Sequence, residues 1–335
     1  MKLNIKNLIS LLITLTVVLA FSSCNDEWQD EQYKKYISFV RSGYTETYLN
    51  TNTADGVVHY KIPVVVSGST KNDRNITVTV SLDPDTLVEY NKANFYTRTD
   101  LFYRQLDEQY FSFPKGMSVV IPAGKEVGTL DIDFRVRDLD LVEKYILPLK
   151  ITSTSEYEVS PLQHYKKTLM RIIPFNYFSG TYSAGAAAIT VEGISDQTTV
   201  ENREMRYVND STVFFYAGLC DENARDRSLY KVRAKFNADS TITLTADNPN
   251  IELTPVLEEI DKGKTVKRCV WTLNEEMDAL QPYLLIRTIT MNIKYTYLVV
   301  TPNYTVKYTV NGYYTLERRR NTQIPEEDQQ EIFEW

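Results

Sequence analysis

From Tyr36 almost to its end, the chain runs in segments of five to nine residues whose apolar and polar side chains alternate, with turn residues between them. A period of two places successive side chains on opposite faces of a strand. Val58, Tyr60, Ile62, Val64 and Val66 then share one face, with His59, Lys61 and Pro63 on the other. Ile76, Val78, Val80 and Leu82 repeat the pattern against Thr77, Thr79 and Ser81. No helix of crossover length separates these segments, which argues against a parallel α/β sheet. Tyrosine is plentiful at 24 copies beside 13 Phe, the side chains that strands favour. The expected fold class is all-β.

The punctuation divides the chain in two. Residues 36–173 hold seven or eight expected strands, with one helical turn opened by Asp83-Pro84-Asp85-Thr86 and running through Leu87 and Tyr90. Short strands at this spacing predict an immunoglobulin-type sandwich. Asn91 to Tyr110 breaks the rhythm, a long excursion carrying Tyr96, Phe102 and Tyr103 where function or plain surface decoration can sit. Pro174 to Tyr182 (P-F-N-Y-F-S-G-T-Y) opens a second β-rich region, residues 174–335. There, Tyr304, Val306, Tyr308 and Val310 run into Asn311-Gly312, a strong hairpin signal, with the return strand expected from Tyr313 to Glu317. Nine or ten such strands predict an antiparallel barrel-like domain of lipocalin or calycin type, or a second sandwich.

The first residues have another task. Lys2 and Lys6 precede an apolar run from Leu8 to Phe21 that is too short to span a bilayer as a helix of ~20 residues. Ser22-Ser23-Cys24 follows, the order a lipoprotein signal peptidase cleaves, so residues 1–23 read as a lipoprotein signal peptide and Cys24 as the lipidation site. Acyl chains on Cys24 would hold the protein to a membrane at ~0.8 kcal/mol per buried methylene. Residues 24–35 are charge-dense and read as a solvated acidic tether. Removal of residues 1–23 takes away two of 37 basic side chains and none of 44 acidic ones, which leaves a net charge of −9. Such a surface repels nucleic acid and anionic headgroups. In an exported protein Cys220 and Cys269 can form a disulfide, worth ~4 kcal/mol in the chain-entropy model, or remain two separate buried thiols.

Catalytic constellations are missing. His59 and His164 each stand alone without metal-site spacing, and no G-x-S-x-G, Walker or G-x-G-x-x-G pattern occurs. Asp131 and Asp133 alternate with Leu130, Ile132 and Phe134, so they read as a wet strand face shared with Arg135 and Arg137 rather than a glycosidase dyad. Glu258-Glu259 and Glu275-Glu276 are adjacent pairs that a strand splits across two faces. No catalytic residue, metal ligand or cofactor is assigned. Aromatic surface remains, since sugar rings stack their C–H faces on Tyr or Trp while polar neighbours bond the hydroxyls. Tyr295, Tyr297, Tyr304 and Tyr308 follow apolar alternation and are expected in the core. Trp271, Tyr283 and the pair Tyr313-Tyr314 are the candidate carbohydrate-binding residues, with Trp335 a plug on the barrel.

Strings along the chain resemble a known family. I-P-V-V-V-S-G, V-S-L-D-P-D-T-L-V-E-Y-N, V-I-P-A-G-K and Y-I-L-P-L-K-I are similar to the N-terminal Ig-like domain of Bacteroidetes surface lipoproteins, a domain that precedes family 18 glycosidase modules in some members. N-Y-F-S-G-T-Y, F-F-Y-A-G, D-R-S-L-Y-K-V and I-P-E-E-D-Q-Q-E-I-F-E-W resemble the β-rich C-terminal domain of the non-catalytic members. Asn25-Asp26-Glu27-Trp28-Gln29-Asp30-Glu31 resembles their acidic surface-export tag. The resemblance implies a lipid-anchored, surface-exposed outer-membrane protein that binds a glycan beside a Sus-type importer. An adhesin or structural envelope protein that binds a protein partner is the alternative.

Overall fold

The computed structural model describes residues 30–253, 257–261 and 264–325. The signal segment 1–23, Cys24 and Trp335 lie outside the described residues. Eleven strands come from the first region: β1 (Tyr36–Phe39), β2 (Gly43–Asn50), β3 (Val58–Val66), β4 (Ile76–Leu82), β5 (Arg104–Gln105), β6 (Phe111–Ser112), β7 (Ser118–Ile121), β8 (Val127–Phe134), β9 (Tyr145–Thr154), β10 (Glu158–Val159) and β11 (Lys167–Phe175). They form two sheets, ordered β10-β1-β3-β8-β6 and β2-β11-β9-β4-β7, with β5 beside β9. Ile37, Ile62, Val64, Ile132 and Phe134 of the first sheet meet Leu49, Val78, Leu147, Leu149 and Ile172 of the second in a dry core. The expected alternation is realised: in β8, Leu130, Ile132 and Phe134 are buried, while Asp131 pairs with Lys115 and Asp133 with His59 on the other face.

The helical turn is longer than expected. Helix α1 runs Pro84–Phe95, with Pro84 in its first turn and Thr86 donating to Asp83 at 2.6 Å. It packs Leu87 on Ile146 and Leu169, across the outer face of the second sheet. Asn91 extends it by clamping the returning chain: its amide donates to Tyr103 O at 2.8 Å and accepts from Tyr103 N at 2.9 Å. The 91–110 excursion is thus folded onto the sandwich.

The second region supplies β12 (Gly180–Ser183), β13 (Ala187–Val191), β14 (Gln197–Thr198), β15 (Asn202–Asn209), β16 (Thr212–Tyr216), β17 (Lys231–Phe236), β18 (Ile242–Ala246), β19 (Ile251–Leu253), β20 (Leu257–Asp261), β21 (Lys264–Lys267), β22 (Val270–Met277), β23 (Leu284–Val300) and β24 (Thr305–Asn321). All but the β20–β21 hairpin join one sheet, which follows β24-β12-β15-β16-β17-β18 on one side and β24-β23-β22 on the other. Its ends meet: Thr241 bridges Val270, Ile242 N donates to Cys269 O and Trp271 N donates to Ser240 O. Side chains fill the inside of the barrel-like curl, with Tyr182, Phe215, Tyr295 and Tyr314 among the most buried.

Asn311-Gly312 is not a turn. β24 runs straight through it, and the hairpin lies at Thr301–Tyr304, where Thr301 N donates to Tyr304 O at 2.9 Å. Gly312 instead marks a close crossing: it pairs with Ala187, has φ +152°, and a Cβ on it would lie 2.2 Å from Ala186 O. Glycine is required there because backbone occupies the space of a side chain.

The two regions share packing. Tyr207, Phe214 and Tyr216 of the second region belong to the sandwich's core cluster. Asn176 fixes the crossover: its carbonyl oxygen accepts from Phe178 N, Ser179 N and Ser179 Oγ, each at 2.8 Å, and its amide donates to Asn209 O at 2.6 Å. Residues 30–35 also depart from the expected solvated tether. Glu31 accepts from the backbone and hydroxyls of Ser69 and Thr70, while Lys35 is buried and donates to Thr70 O and Lys71 O. Carboxylate and ammonium both find fixed partners, so this charged stretch docks instead of remaining in water.

Candidate binding cleft

A cleft of about 210 Å³ opens where the outer face of the sandwich's second sheet meets β12 and β15. On β2 the outward side chains are Tyr44, Glu46 and Tyr48, because Thr47 and Leu49 turn into the core. Parallel pairing sets Arg171 of β11 opposite Glu46. Arg171 Nη1 donates to Glu46 at 2.6 Å, and the Tyr48 hydroxyl donates to the other Glu46 oxygen at 2.8 Å. Behind them Tyr44, Tyr90 and Tyr103 stack, with centroids 5.5 to 6.0 Å apart, and the Tyr44 and Tyr103 hydroxyls meet at 3.3 Å.

The opposite wall comes from the second region. Arg206 on β15 is buried and donates to Glu204 at 2.8 Å, to Glu222 and to Leu141 O across the junction. Lys144 of the sandwich pairs with the same Glu222 at 3.1 Å. The apolar part of the lining includes Leu141, Ile173, Pro174 and Met205.

Electrostatics keep the charges in place. Burial works against ionised Glu46 and Glu222, yet the Tyr48 hydroxyl and Arg171 hold Glu46 below the ordinary carboxyl range, and Arg206 with Lys144 does the same for Glu222. Burial and the bond to Glu46 push the Tyr48 phenol up to about 12. Both carboxylates are therefore ionised at neutral pH and act as acceptors, and neither is a proton donor of the kind glycosidic cleavage needs. Among the described residues no group of three His, Cys, Asp or Glu converges as a metal site.

None of the four aromatic residues singled out from the sequence lines this cleft. Trp271 is half-buried, edge-on to Phe178 and Phe236, with Nε1 donating to Asn237 O at 3.1 Å. Closure of the sheet through its backbone turns it inward. Tyr314 is 1% exposed, whereas Tyr313 is 49% exposed. Tyr283 is partly exposed, and its carbonyl accepts from Thr322 N. Tyr295 and Tyr297 are in the core as expected; Tyr304, expected there, is exposed because it sits in the β23–β24 turn. Cys220 and Cys269 form no disulfide. Cys220 packs on the sandwich core and Cys269 lies in the barrel's cluster, so the fold keeps the two thiols in different layers.

Sequence reasoning missed Glu46, Tyr48, Arg171, Glu204, Arg206 and Glu222. Two signals existed: the aromatic–acid–aromatic spacing of Tyr44, Glu46 and Tyr48, and single arginines inside apolar strands, L-M-R-I-I and E-M-R-Y-V.

A model for a domain of unknown function (DUF4973) matches residues 28–155, and a C-terminal domain model matches residues 166–315. No curated protein matches the chain. A solved protein of unknown function from Bacteroides ovatus is 33% identical with a TM-score of 0.76, the match covering 88% of this chain and 98% of that one. A multidomain protein including DUF1735, also from B. ovatus, is 32% identical with a TM-score of 0.75 over 88% and 99%. An auxiliary nutrient binding protein from Bacteroides thetaiotaomicron is 31% identical with a TM-score of 0.73 over 88% and 96%.

Proposed function

Since the chain belongs to the family of these Bacteroides proteins, we propose that it is a non-catalytic accessory protein that binds a nutrient glycan in the cleft between its two β-regions. The observation that carries this reading is the cleft, whose lining sets apolar side chains among fixed, ionised acceptors and donors. The nutrient-binding relative supports a binding role, and the lowered carboxyls at Glu46 and Glu222 speak against acid catalysis. The protein is anchored through Cys24 at the outer face of the outer membrane, beside a Sus-type importer. Weak individual sites suffice there, because neighbours on one surface raise the effective concentration.

A glycan array spanning plant, microbial and host structures, followed by calorimetry, tests the function. Saturable binding of at least one glycan is expected. No binding across the array, with a stoichiometric protein partner recovered from the cell envelope, would replace the reading with an adhesin.

A further inference from the structure

The charges of the cleft are paired with one another before any ligand arrives. Arg171 is held by Glu46, Arg206 by Glu204 and Glu222, and Lys144 by Glu222. Glu143, also on the lining, pairs outward with Arg104 at 2.9 Å. Neither arginine can swing out to greet a ligand: Arg206 is 9% exposed and bonded to Leu141 O, and Arg171 is 19% exposed beneath the Tyr44 hydroxyl.

Three cations and four carboxylates line the cleft, and the fourth carboxylate, Glu143, is met from outside the lining by Arg104 and Arg227, so no cation of the lining lacks a carboxylate beside it. An incoming sulfate, phosphate or uronate would have to displace a carboxylate from a guanidinium that is already bonded, or meet the acids unpaired. A sugar hydroxyl meets neither obstacle. It donates to the spare lone pairs of Glu46, Glu204 or Glu222 without breaking a pair, a bond that an anionic oxygen, with no proton to give, cannot make. The half-exposed Tyr48 ring, its hydroxyl tied to Glu46, adds a flat surface at the rim.

We infer that the cleft selects neutral glycans and rejects anionic ones, a specificity that rests on the proposed glycan-binding role and adds the ligand's chemical class to it. The volume also sets scale. About 210 Å³ is below the ~300–1,000 Å³ of pockets that enclose drug-sized ligands. It holds one ring of a chain, with the rest running outside.

The test uses the full chain and matched polymers. A panel of neutral polysaccharides (α-glucan, β-glucan, mannan, galactan and xylan) is screened by calorimetry, and the best binder is compared with its own sulfated derivative. Sulfation should weaken binding at least tenfold, and raising salt from 50 to 500 mM should change the neutral affinity less than twofold. Glu204→Gln removes one of the four acids and should narrow the gap between the neutral and sulfated polymers; Tyr48→Ala should weaken the neutral polymer at least fivefold. Equal or tighter binding of the sulfated polymer overturns the inference while leaving glycan binding in place. Neutral binding that ignores both substitutions overturns it too, by placing the site elsewhere. Failure of every neutral and sulfated polymer to bind overturns the glycan-binding function itself.

Discussion

Gly312→Ala and Asn311→Val together decide how β24, a strand of 17 residues, runs. A two-residue turn of the Asn-Gly type needs positive φ at both positions, so both substitutions would damage it. In a straight β24 only Gly312 has positive φ, at +152°, while Asn311 is exposed and pairs with Ala188 and Lys294 as ordinary strand. A Cβ at Gly312 meets Ala186 O at 2.2 Å and Ala187 Cα at 2.5 Å, both backbone atoms that cannot rotate away. Overpacking of this kind costs ~1–3 kcal/mol, and holding alanine at positive φ adds ~1–2 kcal/mol. The expected loss is about 2–5 kcal/mol, which lowers Tm by roughly 5–15 °C in a protein of this size class. Asn311→Val should stay within about 0.5 kcal/mol of wild type, valine being a favoured strand residue. Thermal melting followed by circular dichroism, with urea titration for free energies, reads both. A costly Asn311→Val beside a tolerated Gly312→Ala would refute the straight strand.

Trp271→Ala should cost about 2–4 kcal/mol by urea titration, since the indole packs edge-on against the stacked rings of Phe178 and Phe236; an unchanged midpoint would return it to the surface. Glu31 is held below its ordinary carboxyl value of 4.5, first by the Ser69 backbone N–H and then by the Thr70 hydroxyl. A lowered folded value means the clasp is complete above pH ~4.5 and is lost as pH falls through the lowered value. The Ser69 amide resonance should accordingly stay flat from pH 7 to 4.5 and move only below, and a midpoint near 4.5 would contradict the clasp. Cys24→Ala should abolish palmitate labelling, whereas persistent label would assign the acyl chains to another residue.

The all-β class and the buried faces of β3, β4 and β8 were legible because alternation is a local property that burial enforces residue by residue. Asn311-Gly312 was misleading for a long-range reason: the glycine answers to Ala186 and Ala187, more than a hundred positions away, and a local turn rule cannot see them. Trp271 failed similarly, its orientation being set where the far end of the sheet returns to Thr241. The cleft was harder still. Its walls come from β2, β11 and β15, and Arg171 and Arg206 gain their meaning only when Glu46, Glu204 and Glu222 are brought beside them. The Glu31 clasp shows the converse, a charged stretch read as solvated that found matching hydroxyls and amides on the β3–β4 loop.

Hydrogen exchange measured with and without a saturating glycan from the array tests the central claim most directly, because it locates the ligand without presuming its identity. Binding in the cleft predicts slowed exchange in three separated stretches at once: 44–50 on β2, 171–181 through the crossover, and 203–206 with Glu222 on the facing wall. Slowing confined to the segments around Tyr283 and Tyr313, or to the 91–110 excursion, with these three unchanged, would contradict it.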